Sequence, residues 1–249
     1  MLEVNYRDTV AIVKLNRGIT NALNLECVDE LTEVFQQVKT DSQVRGMVLC
    51  ATNEKFFSIG FDIPQLYGLS EGDFRFFYES FNRMCLELYT MPKPTVAAIT
   101  GHAIAGGCIL ALCCDYRLIA AGRKLMGLNE IKLGLPVPYL IDCVLRDLVG
   151  VQNAREIIEM GEFHRSKESL QLGMVDEVVA LGEVMGKATE KAAQLGEMPQ
   201  MAYETIKRNR VEGVEGEILT KWEERKREFV KCWYSEETRE RLRAAMERF

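Results

Sequence analysis

Hydrophobic and polar positions along the chain alternate between two patterns, one typical of strands and one typical of helices. Short apolar runs rich in β-branched side chains predict strands, because such side chains suit the face of a buried or half-buried sheet. These predicted strands cover residues 10–16, 45–52, 56–59, 94–100, 116–121, 124–127 and 174–179. Apolar residues three and four positions apart predict helices over 27–40 and 71–90, and the chain after residue 138 is predicted to be mostly helical.

The order of these elements predicts the fold class. Strands that alternate with helices indicate an α/β core, although two predicted strands often precede one helix. We divide the chain into a core, residues 1–194, and a helical C-terminal region, residues 195–249. The second region combines many charges with large apolar side chains, namely Trp222, Phe229, Trp233 and Phe249. We expect these side chains to dock on a neighbouring subunit, so that this region serves oligomerisation.

Composition and charge exclude some classes of partner. Of the 249 residues, 47% are hydrophobic and 27% are charged, which is typical of a soluble globular protein. The net charge of -6 argues against general binding of nucleic acid, which requires a basic excess. The amino terminus lacks the pattern of a signal peptide, and the longest apolar run, residues 103–114, is too short to cross a bilayer. We therefore predict a cytoplasmic protein with no membrane partner.

The cysteines and histidines limit the chemistry further. The eight cysteines form no C-x-x-C pair and most lie in apolar stretches, so we expect buried, reduced thiols. The two histidines, His102 and His164, are too few for a His-rich metal site, and we predict no bound metal. A Ser-His-Asp triad would have to use one of them, yet neither lies near a G-x-S-x-G motif.

Two adjacent glycines stand out in the segment TVAAITGHAIAGGCILAL, which we interpret as a strand, a turn and a helix. The first turn of a helix has unpaired N–H groups and a partial positive charge. Gly106 and Gly107 in that turn would let a ligand approach the backbone closely, a geometry that suits a developing oxyanion. The alternative is that the glycine pair only allows the helix to pack tightly.

Two further segments support a catalytic site. KFFSIGFDI, residues 55–63, is predicted to be a strand that ends in a glycine turn, and the N–H of Ile59 is the candidate second donor. Glu130 is the only acidic residue between Asp115 and Asp142, and it lies in an apolar stretch interrupted by glycines. Burial there would raise its pKa and make it a usable general base. The alternative is an ordinary glutamate of a surface loop.

In this order and spacing, the segments FFSIGFDI, GHAIAGGC and GLNEIKLGL resemble the crotonase superfamily, the enoyl-CoA hydratase/isomerase fold. The resemblance covers nearly the whole chain. It implies a crotonase-like spiral of ββα turns with a C-terminal helical trimerisation region, and a homotrimer or a dimer of trimers. It also implies an acyl-CoA thioester substrate, of which coenzyme A is a part, and no separate cofactor.

The resemblance also implies roles for particular residues. Glu130 would be the catalytic acid/base, and the N–H groups of Ile59 and Gly106 would hold the thioester oxygen while an enolate forms. The remaining residues would contact the substrate, several of them along the path of coenzyme A: Ser58, Gly60, Phe61, Asp62, Gly107, Ile109 and Leu135.

One departure from the hydratase pattern favours a particular reaction. Hydratases of this family carry two glutamates, and the first of the two positions is Ile109 here. Adding water to a double bond needs two acid/base groups, whereas moving a double bond needs one. The fragments AGGCILALCCDYRLIA and GLNEIKLGL look closest to the mitochondrial-type Δ3,Δ2-enoyl-CoA isomerase branch, which implies a role in fatty-acid β-oxidation. The alternatives are a hydratase that recruits another carboxylate such as Asp142, a thioesterase, a decarboxylase, or a catalytically silent acyl-CoA-binding protein.

Overall fold

The short apolar segments of the chain form two sheets. A computed structural model describes residues 1–247. Its strands are β1 (Leu2–Arg7), β2 (Val10–Leu15), β3 (Gly46–Ala51), β4 (Phe56–Ser58), β5 (Thr95–Ile99), β6 (His102–Ile104), β7 (Tyr116–Ala120), β8 (Leu125–Gly127), β9 (His164–Arg165) and β10 (Glu177–Val179). The larger sheet has the order β1-β2-β3-β5-β7-β10, and the smaller sheet has the order β4-β6-β8-β9.

Helices pack against these sheets. They are α1 (Leu25–Thr40), α2 (Ile63–Tyr67), α3 (Glu71–Tyr89), α4 (Gly106–Leu112), α5 (Tyr139–Met160), α6 (Ser166–Gln171), α7 (Val184–Gly196), α8 (Gln200–Thr220), α9 (Trp222–Trp233) and α10 (Glu236–Met246). The predicted helix over 71–90 is confirmed by α3, whose first turn is capped by the side chain of Ser70. Its apolar face, which includes Phe74, Phe77 and Phe81, is fully buried.

The connections between the sheets form a spiral. β3, β5 and β7 are parallel neighbours in the larger sheet, and β4, β6 and β8 are parallel neighbours in the smaller one. Each turn of the chain therefore adds one strand to the larger sheet, one to the smaller sheet, and then a helix. The predicted α/β spiral of ββα turns is confirmed.

The sequence reading missed several short elements. β1 pairs antiparallel with β2, but most of its side chains are exposed, so its apolar alternation is weak. β6 has three residues and lies in the segment that was expected to be a turn. β9 and α2 are also too short to produce a clear period in the sequence.

The C-terminal helices pack on their own chain, which differs from the expectation. The predicted boundary at residue 194 falls inside α7. Phe229 and Trp233 are almost fully buried, and their rings stack on Tyr78 and Phe74 of α3 with centroid distances of 4.1 Å. These two side chains therefore do not supply an apolar surface for a neighbouring subunit, and oligomerisation stays a prediction. Phe249 lies outside the described residues.

The cysteines lie mostly within the core. All eight are free thiols, and all except the partly exposed Cys232 are buried. Within residues 1–247, none of the helices combines the length and the apolar character that crossing a bilayer demands.

Candidate active site

An apolar cavity of about 290 Å³ lies where the ends of the smaller sheet, the start of α4 and the helices α9 and α10 meet. Its wall contains the catalytic candidate, both residues predicted as donors and several apolar side chains. The lining residues are Phe56, Ile59, Phe61, Ile63, Ile104, Ala105, Gly106, Ile109, Asn129, Glu130, Leu133, Leu135, Pro138, Phe163, Phe229, Trp233, Leu242 and Ala245. The spiral and the C-terminal helices thus enclose one chamber together.

Glu130 contributes a buried carboxyl group to this chamber. It is the first residue of a short 3₁₀ turn, Glu130–Leu133, which is followed by Gly134 in the left-handed conformation at φ 80°. Burial raises the pKa of Glu130 to about 7, because the charged form loses its hydration. Its Oε2 atom has no hydrogen-bond partner among residues 1–247. A carboxyl group in this state can exchange a proton near neutral pH.

Within residues 1–247, no second carboxylate lines the chamber. Among the residues that the structure describes, Glu130 is the only acidic residue that lines it. Asp142 lies in a separate groove, where its Oδ2 atom accepts a bond of 3.2 Å from Arg146. The alternative in which Asp142 supplies a second acid/base group therefore has no support in this geometry.

In the turn after β4, the free backbone N–H group belongs to a different residue from the one predicted. The N–H of Ile59 already donates to the Thr20 carbonyl at 3.0 Å, so the prediction of Ile59 as an oxyanion donor is wrong. In the same turn, the Leu23 N–H donates to the Gly60 carbonyl at 2.8 Å, and the Leu23 carbonyl accepts the Asp62 N–H at 2.9 Å. Successive backbone groups of an extended chain face opposite sides. The N–H of Phe61 therefore faces away from Leu23, and no acceptor within residues 1–247 is bonded to it.

Gly106 occupies the predicted position at the start of α4. Its N–H has no acceptor in the described part of the chain, as is usual for the first residue of a helix. The preceding residue, Ala105, has φ 47° and ψ -119°, a strained conformation for a residue with a side chain. The Ala105 N–H donates to the Gly127 carbonyl at 2.9 Å, which holds this corner in place.

Close packing of two glycines brings the free amides together. A Cβ atom on Gly60 would lie 2.7 Å from the Gly106 nitrogen, and one on Gly106 would lie 3.1 Å from the Gly60 Cα. The backbone at Phe61 therefore lies next to the helix start at Gly106. Sequence reasoning missed Phe61 as a donor because its orientation depends on pairing with Leu23, which is distant along the chain.

The residues predicted to contact substrate divide into two groups. Phe61, Ile109 and Leu135 line the chamber, and the Ile59 side chain does so as well. The other four residues do not line it, and their contact with the rest of the thioester, including its coenzyme A part, stays a prediction: Ser58, Gly60, Asp62 and Gly107.

These four residues position the donor turn. The Ser58 hydroxyl donates to the Asn21 carbonyl at 2.8 Å and accepts the Gly60 N–H at 3.1 Å. Asp62 forms an ion pair with Arg17 at 2.7 Å. A Cβ atom on Gly107 would lie 2.2 Å from the Ser58 carbonyl oxygen, so only glycine fits against this strand. Through these contacts they hold the Phe61 and Gly106 amides in place.

An apolar chamber with one neutral-range carboxyl group and two adjacent free amides has the parts of an enzyme that removes a proton next to a carbonyl. A sequence model of the enoyl-CoA hydratase/isomerase family matches residues 5–249. The chain belongs to this family.

Relatives within the family include both kinds of enzyme. The chain is 36% identical over 180 residues to mitochondrial enoyl-CoA delta isomerase 1 of Mus musculus, a match that covers 72% of this chain and 62% of the relative. It is 30% identical over 240 residues to a short-chain-enoyl-CoA hydratase of Clostridium acetobutylicum, covering 96% and 92%. Because some relatives carry mitochondrial names, the cytoplasmic location stays a prediction.

A solved structure confirms the crotonase fold. The crystal structure of human mitochondrial delta3-delta2-enoyl-CoA isomerase matches with a TM-score of 0.95 and 28% sequence identity, covering 99% of this chain and 97% of that chain. The overlap includes the C-terminal helices, so the chamber wall built by α9 and α10 lies within the shared fold.

Proposed function

We propose that this protein is a Δ3,Δ2-enoyl-CoA isomerase, which moves the double bond of a 3-enoyl-CoA to the 2-trans position. The observation that carries the proposal is the single carboxylate of the chamber. Glu130 is present, whereas Ile109 occupies the position at which family hydratases carry their other glutamate. One acid/base group is sufficient for a proton shift and insufficient for the divided work of hydration.

The reaction begins with proton removal. The thioester oxygen accepts hydrogen bonds from the N–H groups of Phe61 and Gly106, and the Glu130 carboxylate takes a proton from C2 of the acyl group. The electrons of the broken C2–H bond enter an enolate whose negative charge rests on the thioester oxygen. Removing one such donor typically costs about 10²–10³-fold in rate, so both amides matter.

The reaction ends when the same group returns the proton. Protonated Glu130 donates to C4 while the double bond forms between C2 and C3, and the enolate charge returns from the thioester oxygen. A pKa of about 7 suits both steps, since the group must accept and then release one proton. No water is consumed, and the buried side chain of Ile109 keeps that wall apolar.

The experiment uses two substrates in parallel. Purified protein is incubated with 3-hexenoyl-CoA and, separately, with 2-hexenoyl-CoA, and the products are followed by absorbance and by mass. We expect 3-hexenoyl-CoA to be converted to 2-hexenoyl-CoA at unchanged mass, with slower or no addition of water to 2-hexenoyl-CoA. If hydration of 2-hexenoyl-CoA is the faster reaction, the proposal of an isomerase is wrong.

A further inference from the structure

The chamber has a neighbour on the other side of one aromatic ring. A groove of about 430 Å³ lies between α5, α9 and the segment that follows Glu130. In the described part of the chain, Phe229 is the only residue that lines both the chamber and this groove. Neighbouring residues of one segment also face the two spaces, since Pro138 lines the chamber while Val137 and Tyr139 line the groove. Phe229 is therefore the side chain whose size separates the two spaces.

The groove has the chemistry of an apolar channel. Ile131, Pro136, Val137 and Ile158 contribute apolar surface. Four charged residues also line it, and three of them are paired: Asp142 binds Arg146 at 3.2 Å, and Arg225 binds Glu228 at 2.6 Å, whereas Glu159 is the fourth. An alkyl chain could occupy such a groove without displacing the partner of any of the three paired charges.

The ring of Phe229 is held in place. It is 2% exposed and stacks on the Tyr78 ring at a centroid distance of 4.1 Å and an interplanar angle of 15°.

The chamber has an open side and a buried side. Phe163, in another part of the chamber wall, is 40% exposed. Coenzyme A is too large for a chamber of about 290 Å³, so it must remain on the open side while the acyl group points inward. The acyl group then extends towards the buried side, where Phe229 lies.

We propose that Phe229 sets the upper limit of acyl-chain length by closing the chamber against the groove. This inference rests on the proposed isomerase activity. Short 3-enoyl groups end before the ring, whereas the tail of a longer group meets it. Removal of the ring joins the two spaces and gives the tail an apolar channel. Each methylene that then becomes buried contributes about fourfold in kcat/KM, equivalent to ~0.8 kcal/mol.

The test compares two acyl-chain lengths in the wild type and in one variant. The ratio of kcat/KM for 3-dodecenoyl-CoA to that for 3-hexenoyl-CoA is measured in the wild type and in Phe229→Ala. We expect the ratio to be low in the wild type and to rise at least tenfold in Phe229→Ala. Phe76→Ala is the matched control, because Phe76 is a 60% exposed phenylalanine of α3 that lines neither space. Its ratio should equal that of the wild type.

Two more variants keep the result interpretable. Phe229→Leu retains apolar packing with a smaller side chain, and its ratio should lie between those of the wild type and Phe229→Ala. Adding Ile158→Trp to Phe229→Ala or to Phe229→Leu fills the groove and should cancel the rise in the kcat/KM ratio. An unchanged ratio in a folded Phe229 variant, or equal use of both substrates by the wild type, would overturn the role of Phe229. Failure of the wild type to isomerise either substrate would instead contradict the proposed function.

Discussion

At the scale of single residues, burial of the Glu130 carboxyl group has a consequence for stability. The pKa is about 7 in the folded protein and has an ordinary value of 4.5, so the folded state binds the proton more tightly. The favourable contribution of the protonated group is complete below pH 4.5 and is lost as the pH rises through 7.

Glu130→Gln should therefore be more stable than the wild type above pH 7, by up to about 3 kcal/mol. The difference should shrink as the pH falls towards 4.5, because both proteins then have a neutral side chain. Denaturant unfolding of the two proteins across this range measures the difference. A gap that does not change with pH would show that ionisation of Glu130 is not its cause.

Substitution of a second residue, Ile109, tests whether the lack of a second carboxylate is what prevents hydration. Ile109→Glu adds an acid to the chamber wall, and we expect slow hydration of 2-hexenoyl-CoA to become measurable. The buried charge should lower the free energy of unfolding by about 3 kcal/mol at pH 8. Ile109→Gln is the control, since an amide cannot transfer the proton and should give no hydration. Equal rates of hydration by both variants would show that the added carboxyl group is not the cause of the hydration.

At the scale of elements, the contact between α4 and β4 holds the donor turn. A Cβ atom on Gly107 would lie 2.2 Å from the Ser58 carbonyl oxygen, so Gly107→Ala must move one of the two backbones. We expect a loss of about 1–3 kcal/mol in stability and a fall in kcat, because Ser58 also holds Gly60 beside the Phe61 amide. Gly213→Ala on α8, where the added atom meets nothing within 4 Å, should instead stabilise by about 0.5–1 kcal/mol. Similar melting temperatures for the two variants would contradict the contact argument.

The long elements and the Glu130 environment could be predicted from the sequence, but the donor turn could not. The α3 period is strong over 19 residues, and the apolar surroundings of Glu130 are local in sequence. The choice between the amides of Ile59 and Phe61 is set by pairing with Thr20 and Leu23, a long-range contact with no local signal. For the same reason, the sequence does not reveal that Gly107 packs against the backbone of Ser58.

At the scale of the whole molecule, the C-terminal helices are part of the active chamber and are not a separate domain. The Lys207 ammonium of α8 forms a buried ion pair of 2.8 Å with Asp115, and α9 and α10 line the chamber. The stacking of Phe229 and Trp233 on α3 removes these two side chains from the apolar surface that was expected to dock on a neighbouring subunit. Other apolar side chains of α8 remain exposed, among them Met201 at 82% and Ile206 at 68%.

We therefore still expect self-association, now through the exposed face of α8, with a homotrimer or a dimer of trimers as the proposed assembly. Light scattering should give a mass that is three or six times the chain mass of 28.3 kDa. Substitution of Met201 and Ile206 by glutamate should lower that mass while the chain stays folded. A stable monomer at micromolar concentration would contradict the expectation.

The most direct test of the account is the activity of Glu130→Gln on 3-hexenoyl-CoA, measured together with its affinity for the same thioester. Glutamine preserves size but cannot accept the C2 proton, whereas substrate binding rests on backbone donors and apolar contacts. We predict a loss of about 10²–10⁴-fold in kcat or more, with a dissociation constant within a few-fold of the wild type. If Glu130→Gln isomerises 3-hexenoyl-CoA at a rate close to that of the wild type, Glu130 is not the acid/base and the proposed mechanism is wrong.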